Sequence, residues 1–320
     1  MTTRRITFLD QGTIPDNIRW PDPDFEHEWT GWHHTSAGQT VERAAGSHIL
    51  ITNKVVVDDS VLAACPDLEL VQVSATGVNN VDLEACRQRG IHACNVKGYA
   101  SNAVPEWVVA HLFALTWRQP HYRQVQTEGR WAESDFFMLR TAPVRELRTM
   151  HVGILGQGDI GRSVADRLAA FGTRVEFLER PGTPKPRSGY VDFDITLPRL
   201  DALILCCPLT EDNAEMVDAG LLARMKEGAL LLNPSRGGLV QEQDLAAAIT
   251  SGHLGGAALD VVSREPITTD NPLFALRAHE NLIVTPHIAW STDEAITGLM
   301  AQLIDNLNRF VAGERTHCLV

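Results

Sequence analysis

Three polar side chains each close an apolar run in the second half of the chain: Arg236 in "ALLLNPSR", Asp260 in "GGAALD" and His287 in "NLIVTPH". Such runs read as buried strands, and parallel sheets gather their ligand groups at the carboxyl ends of strands. A guanidinium there can hold a carboxylate through two parallel hydrogen bonds, although an arginine on a surface loop is the plain alternative. His287 is one of 12 histidines. A histidine's identity alone says little, so its place after a strand and Pro286 is what singles it out. Glu265, in "DVVSREP", is ordinarily a solvated carboxylate; paired with His287 it would stabilise the imidazolium and fix its tautomer, making the ring a proton donor.

A second pattern is the turn "GILGQGDIG", with glycines at 156, 158 and 161 behind the apolar "VGIL". Glycines at that spacing are a weak signal alone. Behind them "RSVADRLAAFG" sets Val164, Leu168 and Phe171 at helical spacing and stops at Gly172, a C-cap residue. The next run, "TRVEFLE", predicts a buried strand ending in Glu179, and 179 − 161 = 18 residues past the last glycine. That is near the spacing of about 20 at which a carboxylate meets the ribose hydroxyls of a bound dinucleotide. The reading assigns Gly156 to the tight turn, Gly158 to backbone approach by the pyrophosphate and Gly161 to close helix–strand packing, with phosphate on the amides near Asp159 and Ile160. The Glu179 carboxylate disfavours a 2′-phosphate, while Arg180 or Arg187 could offset it; NAD (NADH) over NADP is the expectation. Asp260 then fits a helix N-cap and an acceptor for the nicotinamide carboxamide equally well.

These groups need elements to position them. At roughly 100–200 residues per domain, a chain of 320 residues predicts two domains. The runs "RITFLD", "HILITNKVVV", "LELVQVSATGV" and "GIHACNV" predict a parallel α/β unit near the start. "SNAVPEWVVAHLFALTWRQ" starts a helix at Pro105 that is apolar on too many sides for one exposed stripe, so it is buried within the chain or against a partner subunit. "RPGTPKPRSGY" at 180–190 is a loop. A last helix sets Ile296, Leu299, Leu303, Leu307 and Phe310 on one face, with Ser291 or Thr292 as N-cap and Gly313 as its stop. Periodicity does not tell which domain it covers.

The formal charge of −12 argues against an extended nucleic-acid or anionic-membrane surface. No apolar run approaches the roughly 18–20 residues that span a bilayer. Cys65, Cys86, Cys94, Cys206, Cys207 and Cys318 form no C-x-x-C pair and follow no secretory signal, which predicts a reduced cytoplasmic protein. His33 and His34 have no neighbours at metal-ligand spacing, and no metal site is expected.

In this order the glycine turn, "NPSRGG", "ALDVVSREP" and "TPHIAW" resemble the D-isomer-specific 2-hydroxyacid dehydrogenase family, over nearly the whole chain. "FEHEW", "ITNKV", "ATGVNNVDL", "GYASNAVPE", "CPLT" and "SGHLGGAALDV" are most similar to its bacterial NAD-dependent glycerate dehydrogenases, or hydroxypyruvate reductases. The resemblance implies an α/β fold of two domains, each a doubly wound parallel sheet. A flavodoxin-like substrate-binding domain would comprise residues 1–101 and 292–320, and a Rossmann-type NAD-binding domain 102–291.

It further implies that Arg236, Glu265 and His287 are the catalytic set. Pro208, Pro234, Ser235 and Asp260 would join Arg236, His287 and the glycine turn around the cofactor. Asn53, Thr76, Gly77 and Val78 would meet the substrate, its carboxylate on the amides of 76–78. Arg236 would bridge that carboxylate and the keto oxygen. Reduction of hydroxypyruvate to D-glycerate would take hydride from the nicotinamide and a proton from His287, held by Glu265, in a cleft that closes on the substrate. A homodimer through the dinucleotide-binding domains is implied as well.

The chain departs from the family at Cys206-Cys207-Pro208, where a His–x–Pro pattern is common, at Pro234, at Gln241 and at Glu179, where Asp is more usual. Cys206 takes away one polar neighbour of the cofactor; Pro234 and Gln241 are outside the catalytic set, so altered affinity rather than lost activity is expected of them. Phe136, Phe137 and Trp290 are candidates for setting substrate size. Two other readings stay open: a reductase of glyoxylate or another 2-oxo acid, and an NAD-sensing, corepressor-like binding protein. Formate oxidation is disfavoured, because relatives that perform it carry Gln in place of Glu265.

Overall fold

A computed structural model describes residues 3–314 and 319–320, so Cys318 lies outside the described residues. The chain divides into two compact units, Met1–Ala100 with Ser291–Val320, and Ser101–Trp290.

The first unit carries β1 (Arg4–Phe8), β2 (His27–Gly31), β3 (Ile49–Thr52), β4 (Leu70–Val73) and β5 (His92–Cys94). They pair in the order β2-β1-β3-β4-β5, every pair parallel. This is the flavodoxin-like doubly wound order. Every residue of β3 and β4 is buried, as a parallel sheet covered on both faces requires. The edge strand β2, "HEWTG", is mostly exposed, which is why no apolar run announces it. The last helix, Asp293–Val311, belongs to this unit: buried Asn306 donates from Nδ2 to Gln72 Oε1 and to the Asn95 carbonyl, each at 3.1 Å. Thr292 is its N-cap, accepting from the Ala295 amide at 3.2 Å, and Gly313 turns the chain beyond its end.

The second unit carries β6 (His151–Leu155), β7 (Arg174–Leu178), β8 (Ala202–Leu205), β9 (Leu230–Asn233), β10 (Gly256–Leu259) and β11 (Leu282–Val284). All are parallel, in the order β11-β10-β9-β8-β6-β7. A single parallel bridge joins Leu178 to Val191. It stands where the third strand of a Rossmann sheet would, so the order is the Rossmann one with that strand reduced to a bridge.

Two sequence expectations need correction here. β7 is half-exposed rather than buried, because along its length only β6 pairs with it. Phe171 lies past the end of the helix Asp159–Ala170 and is 47% exposed, its ring edge-on to Phe113. The apolar helix Ala103–Thr116 buries Trp107, Val108, Leu112 and Leu115 within its own unit, against the sheet and the helix Asp159–Ala170. Among the described residues no helix is long and apolar enough to cross a membrane, and no group of His, Cys, Asp and Glu is placed to hold a metal ion.

Candidate active site

β6 ends at Leu155 and the chain turns at Gly156, whose φ of +110° side chains rarely adopt. A Cβ on Gly156 would lie 2.4 Å from the Cys206 carbonyl oxygen, and one on Gly161 would lie 2.0 Å from the Gly156 carbonyl oxygen. The turn is therefore pressed against the end of β8, with the helix Asp159–Ala170 starting on it. A Cβ on Gly158 would meet nothing within 4 Å. That open side lets a pyrophosphate approach the amides of Asp159 and Ile160, where the helix N-terminus favours negative charge. The turn lies between β6 and β8, where the strand order reverses, the position at which open α/β sheets bind ligands. These residues fit a dinucleotide.

Gly156, Leu178, Arg180, Arg187, Tyr190 and Pro208 line a cavity of about 420 Å³ beside this turn. Glu179, expected to receive ribose hydroxyls, is instead engaged by the chain itself. Its side chain is only 3% exposed. Oε1 accepts from the Arg180 amide at 2.9 Å and Arg187 Nη2 at 2.8 Å; Oε2 accepts from Arg187 Nε at 2.7 Å and the Arg187 amide at 3.1 Å. Hydrogen bonding from Arg187 is the main reason its pKa falls to about 2. Burial pushes the Cys206 and Cys207 thiols up to about 12 and about 11, leaving both as inert apolar groups.

Arg236, Asp260 and His287 follow β9, β10 and β11, so all three stand at the carboxyl edge of one sheet, with Glu265 on the loop after β10. His287 donates from Nδ1 to Glu265 Oε2 at 2.7 Å, and Glu265 Oε1 accepts from the Val262 amide at 3.2 Å. A carboxylate can only accept, so Nδ1 carries a proton and Nε2 is the ring atom available for chemistry.

The His287 backbone has φ +56°, uncommon outside glycine, and a bracket of hydrogen bonds holds it there. Its amide donates to the Asp260 carbonyl at 2.8 Å and the Thr285 carbonyl at 2.9 Å. The Ile288 and Ala289 amides donate to the two Asp260 carboxylate oxygens at 2.8 and 2.9 Å. Thr285 Oγ1 donates to Asp260 Oδ1 at 2.6 Å and accepts from Trp107 Nε1 at 3.0 Å. Asp260 is thus no helix N-cap; its carboxylate fixes the His287 turn. Burial pushes its pKa up, opposed by these hydrogen bonds. His111, stacked on Trp107 with ring centroids 4.1 Å apart, is pushed down by its own burial.

The Arg236 loop is fastened in the same way. Buried Asn233 donates from Nδ2 to the Arg236 carbonyl at 2.8 Å and accepts the Ser235 amide at 3.0 Å. Ser235 Oγ donates to the Leu205 carbonyl at 2.6 Å, and Arg236 Nη1 donates to the Ser235 carbonyl at 2.7 Å. A Cβ on Gly237 would lie 1.9 Å from the Val262 carbonyl carbon, so only glycine lets the loop after β9 press against the loop that carries Glu265. Glu242 ties down that second loop, accepting from the Ser263 amide at 2.6 Å, Ser263 Oγ at 2.7 Å and Asn271 Nδ2 at 2.7 Å. Asn233, Glu242, Thr285 and Trp107 escaped the sequence reading. Asn233 and Thr285 at least share strand ends with the residues it found.

In the first unit Asp10 gathers the amides of Asn53, Lys54 and Val55 after β3, at 2.8, 2.7 and 3.3 Å. After β4, Thr76 Oγ1 donates to the Val96 carbonyl at 2.9 Å and Asn95 Nδ2 to the Thr76 carbonyl at 2.8 Å, leading into Gly77 and Val78. Both segments lie at carboxyl ends of their own sheet.

Residues 109–289 match the family model of the D-isomer specific 2-hydroxyacid dehydrogenase NAD binding domain. A Haemophilus influenzae protein named as a putative 2-hydroxyacid dehydrogenase is 43% identical over 308 residues, covering 96% of this chain and 98% of its own. A glycerate dehydrogenase of Methylorubrum extorquens is 37% identical, covering 98% of each chain. A hydroxypyruvate reductase of Blautia hydrogenotrophica is 34% identical, covering 97% of each. Among solved structures, a Thermus thermophilus protein superimposes with a TM-score of 0.84 at 28% identity, over 99% of this chain and 100% of that one.

Proposed function

The chain belongs to the D-isomer specific 2-hydroxyacid dehydrogenase family, and on that premise we propose that it reduces hydroxypyruvate to D-glycerate, reversibly. The hydrogen bond between His287 Nδ1 and Glu265, at the carboxyl edge of a dinucleotide-binding sheet, is the observation that carries this reading. Similarity to a glycerate dehydrogenase and a hydroxypyruvate reductase along nearly their full length supports the choice of substrate.

When bound, the nicotinamide supplies the hydride taken up by the carbonyl carbon. His287 gives the proton from Nε2 to the carbonyl oxygen, so the ketone becomes an alcohol and the ring is left neutral. Glu265 stabilises the ring while it is charged and keeps its tautomer fixed through Nδ1. Arg236 neutralises the substrate carboxylate and the oxygen on which charge builds. In the reverse direction the neutral Nε2 takes the hydroxyl proton. Gly156, Gly158, Gly161, Asp159 and Ile160 hold the pyrophosphate, with Pro208, Pro234 and Ser235 beside the cofactor.

Two further expectations complete the proposal. Trp131, Phe136, Phe137 and Met138 are 55, 75, 92 and 55% exposed in one short segment of the second unit, an apolar cluster that supports a homodimer, checked by sedimentation. No disulfide joins the five described cysteines, which suits a reducing compartment such as the cytoplasm.

The test is loss of the reduced nicotinamide's near-ultraviolet absorbance on mixing the protein with cofactor and hydroxypyruvate, with glyoxylate and pyruvate in parallel. Fastest turnover of hydroxypyruvate is expected. A preference for another arm would move the substrate assignment, and turnover of none would remove it.

A further inference from the structure

The loop at 180–191 carries Arg180, Lys185 and Arg187 and no acidic residue, and it closes one side of the cavity beside the glycine turn. The carboxylate that opens this loop, Glu179, has both oxygens filled by two hydrogen bonds each, all from the Arg180 and Arg187 segments. A carboxylate offers about four lone-pair sites, so a ribose hydroxyl could be accepted only by breaking one of these bonds. Its charge is met by a guanidinium in a two-pronged pair, and the pair is out of water on the Glu179 side.

The arginine is not exhausted by that pairing. Two of its five N–H groups point to Glu179, through Nε and Nη2, and the others remain for a second anion. Its guanidinium lies 4.2 Å over the Tyr190 ring, which fixes its plane, and its side chain stays 61% exposed. Arg180 lines the same cavity, and its guanidinium has no hydrogen-bond partner among the described residues. Asp212, on the segment after β8, is the acidic side chain on the wall; Glu179 stands behind it, out of the lining. The end of β7 therefore presents a neutralised carboxylate and two cations.

We infer that Glu179 is an anchor for this loop rather than a receptor for ribose, and that Arg180 and Arg187 form a subsite for the 2′-phosphate of NADPH. The inference rests on the dinucleotide-binding reading of the glycine turn. It reverses the preference that Glu179 suggests in sequence. A free carboxylate would repel the phosphate, whereas one locked to Arg187 holds a phosphate-binding guanidinium in place.

The test is calorimetric titration of the full-length protein with 2′,5′-ADP and with 5′-AMP, which differ only in that phosphate. The wild type should bind 2′,5′-ADP about tenfold more tightly, as one or more charge-assisted hydrogen bonds give. The advantage should shrink as salt is raised. Arg180→Ala should lose most of it. Arg187→Ala should reverse the order, because it removes a cation and frees Glu179 for the ribose. Equal or tighter binding of 5′-AMP by the wild type would overturn the phosphate subsite and leave the dinucleotide site standing. Binding of neither nucleotide would overturn both.

Discussion

His287 and Glu265 are 22 residues apart and on different loops, yet Nδ1 of one meets Oε2 of the other at 2.7 Å. Both loops leave adjacent parallel strands, β10 and β11, so the pairing follows from the sheet and not from local sequence. Glu265→Gln keeps the size but removes the charge, and it can present an amide donor where the ring needs an acceptor. Turnover should fall by ~10²–10⁴. Steady-state kinetics of variant and wild type check this; unchanged turnover would count against the pair.

Asp260→Asn tests the bracket behind His287. The variant keeps one acceptor oxygen and turns the other position into a donor facing an amide or hydroxyl already donating to it. It should cost about 1–3 kcal/mol in stability. Turnover should fall while KM for the 2-oxo acid changes less, since the carboxylate positions His287 without a role in holding substrate. Denaturant unfolding and steady-state kinetics separate the two effects.

Much of this site was legible because parallel strands announce themselves. A buried strand is a short apolar run, and the polar residue that ends it stands at the ligand-bearing edge; Arg236, Asp260 and His287 were found in this way. What stayed hidden depends on loop closure. Nothing in "RPGTPKPRSGY" shows that Arg187 folds back onto Glu179, so the carboxylate read as open to ligand. Nor could spacing choose among roles for Asp260, whose partners Ile288 and Ala289 come from another strand's loop. β2 was missed because an edge strand needs no apolar run.

Arg236→Lys should raise KM and lower turnover together. An ammonium is a point charge and cannot fork across a carboxylate and a carbonyl oxygen. Kinetics on a 2-oxo acid decide it, and unchanged constants would remove Arg236 from substrate binding.

Glu179 gives the fold an acid-sensitive contact. Its pKa falls from an ordinary 4.5 to about 2 in the folded chain, chiefly through hydrogen bonding from Arg187. A depressed folded value means that the contribution is present above the unfolded pKa and is lost as pH falls through the folded one. Stability should therefore decline from about pH 5 toward about pH 2, and less steeply in Glu179→Gln. Denaturant midpoints across that window provide the measurement.

In the proposed reaction His287 gives the proton to a 2-oxo acid. The measurement that meets it most directly is turnover of hydroxypyruvate by the wild type and by His287→Asn, with cofactor affinity measured on both by calorimetry. A fall of ~10²–10⁴ in turnover with cofactor affinity nearly unchanged is expected. Wild-type turnover in the variant would contradict it.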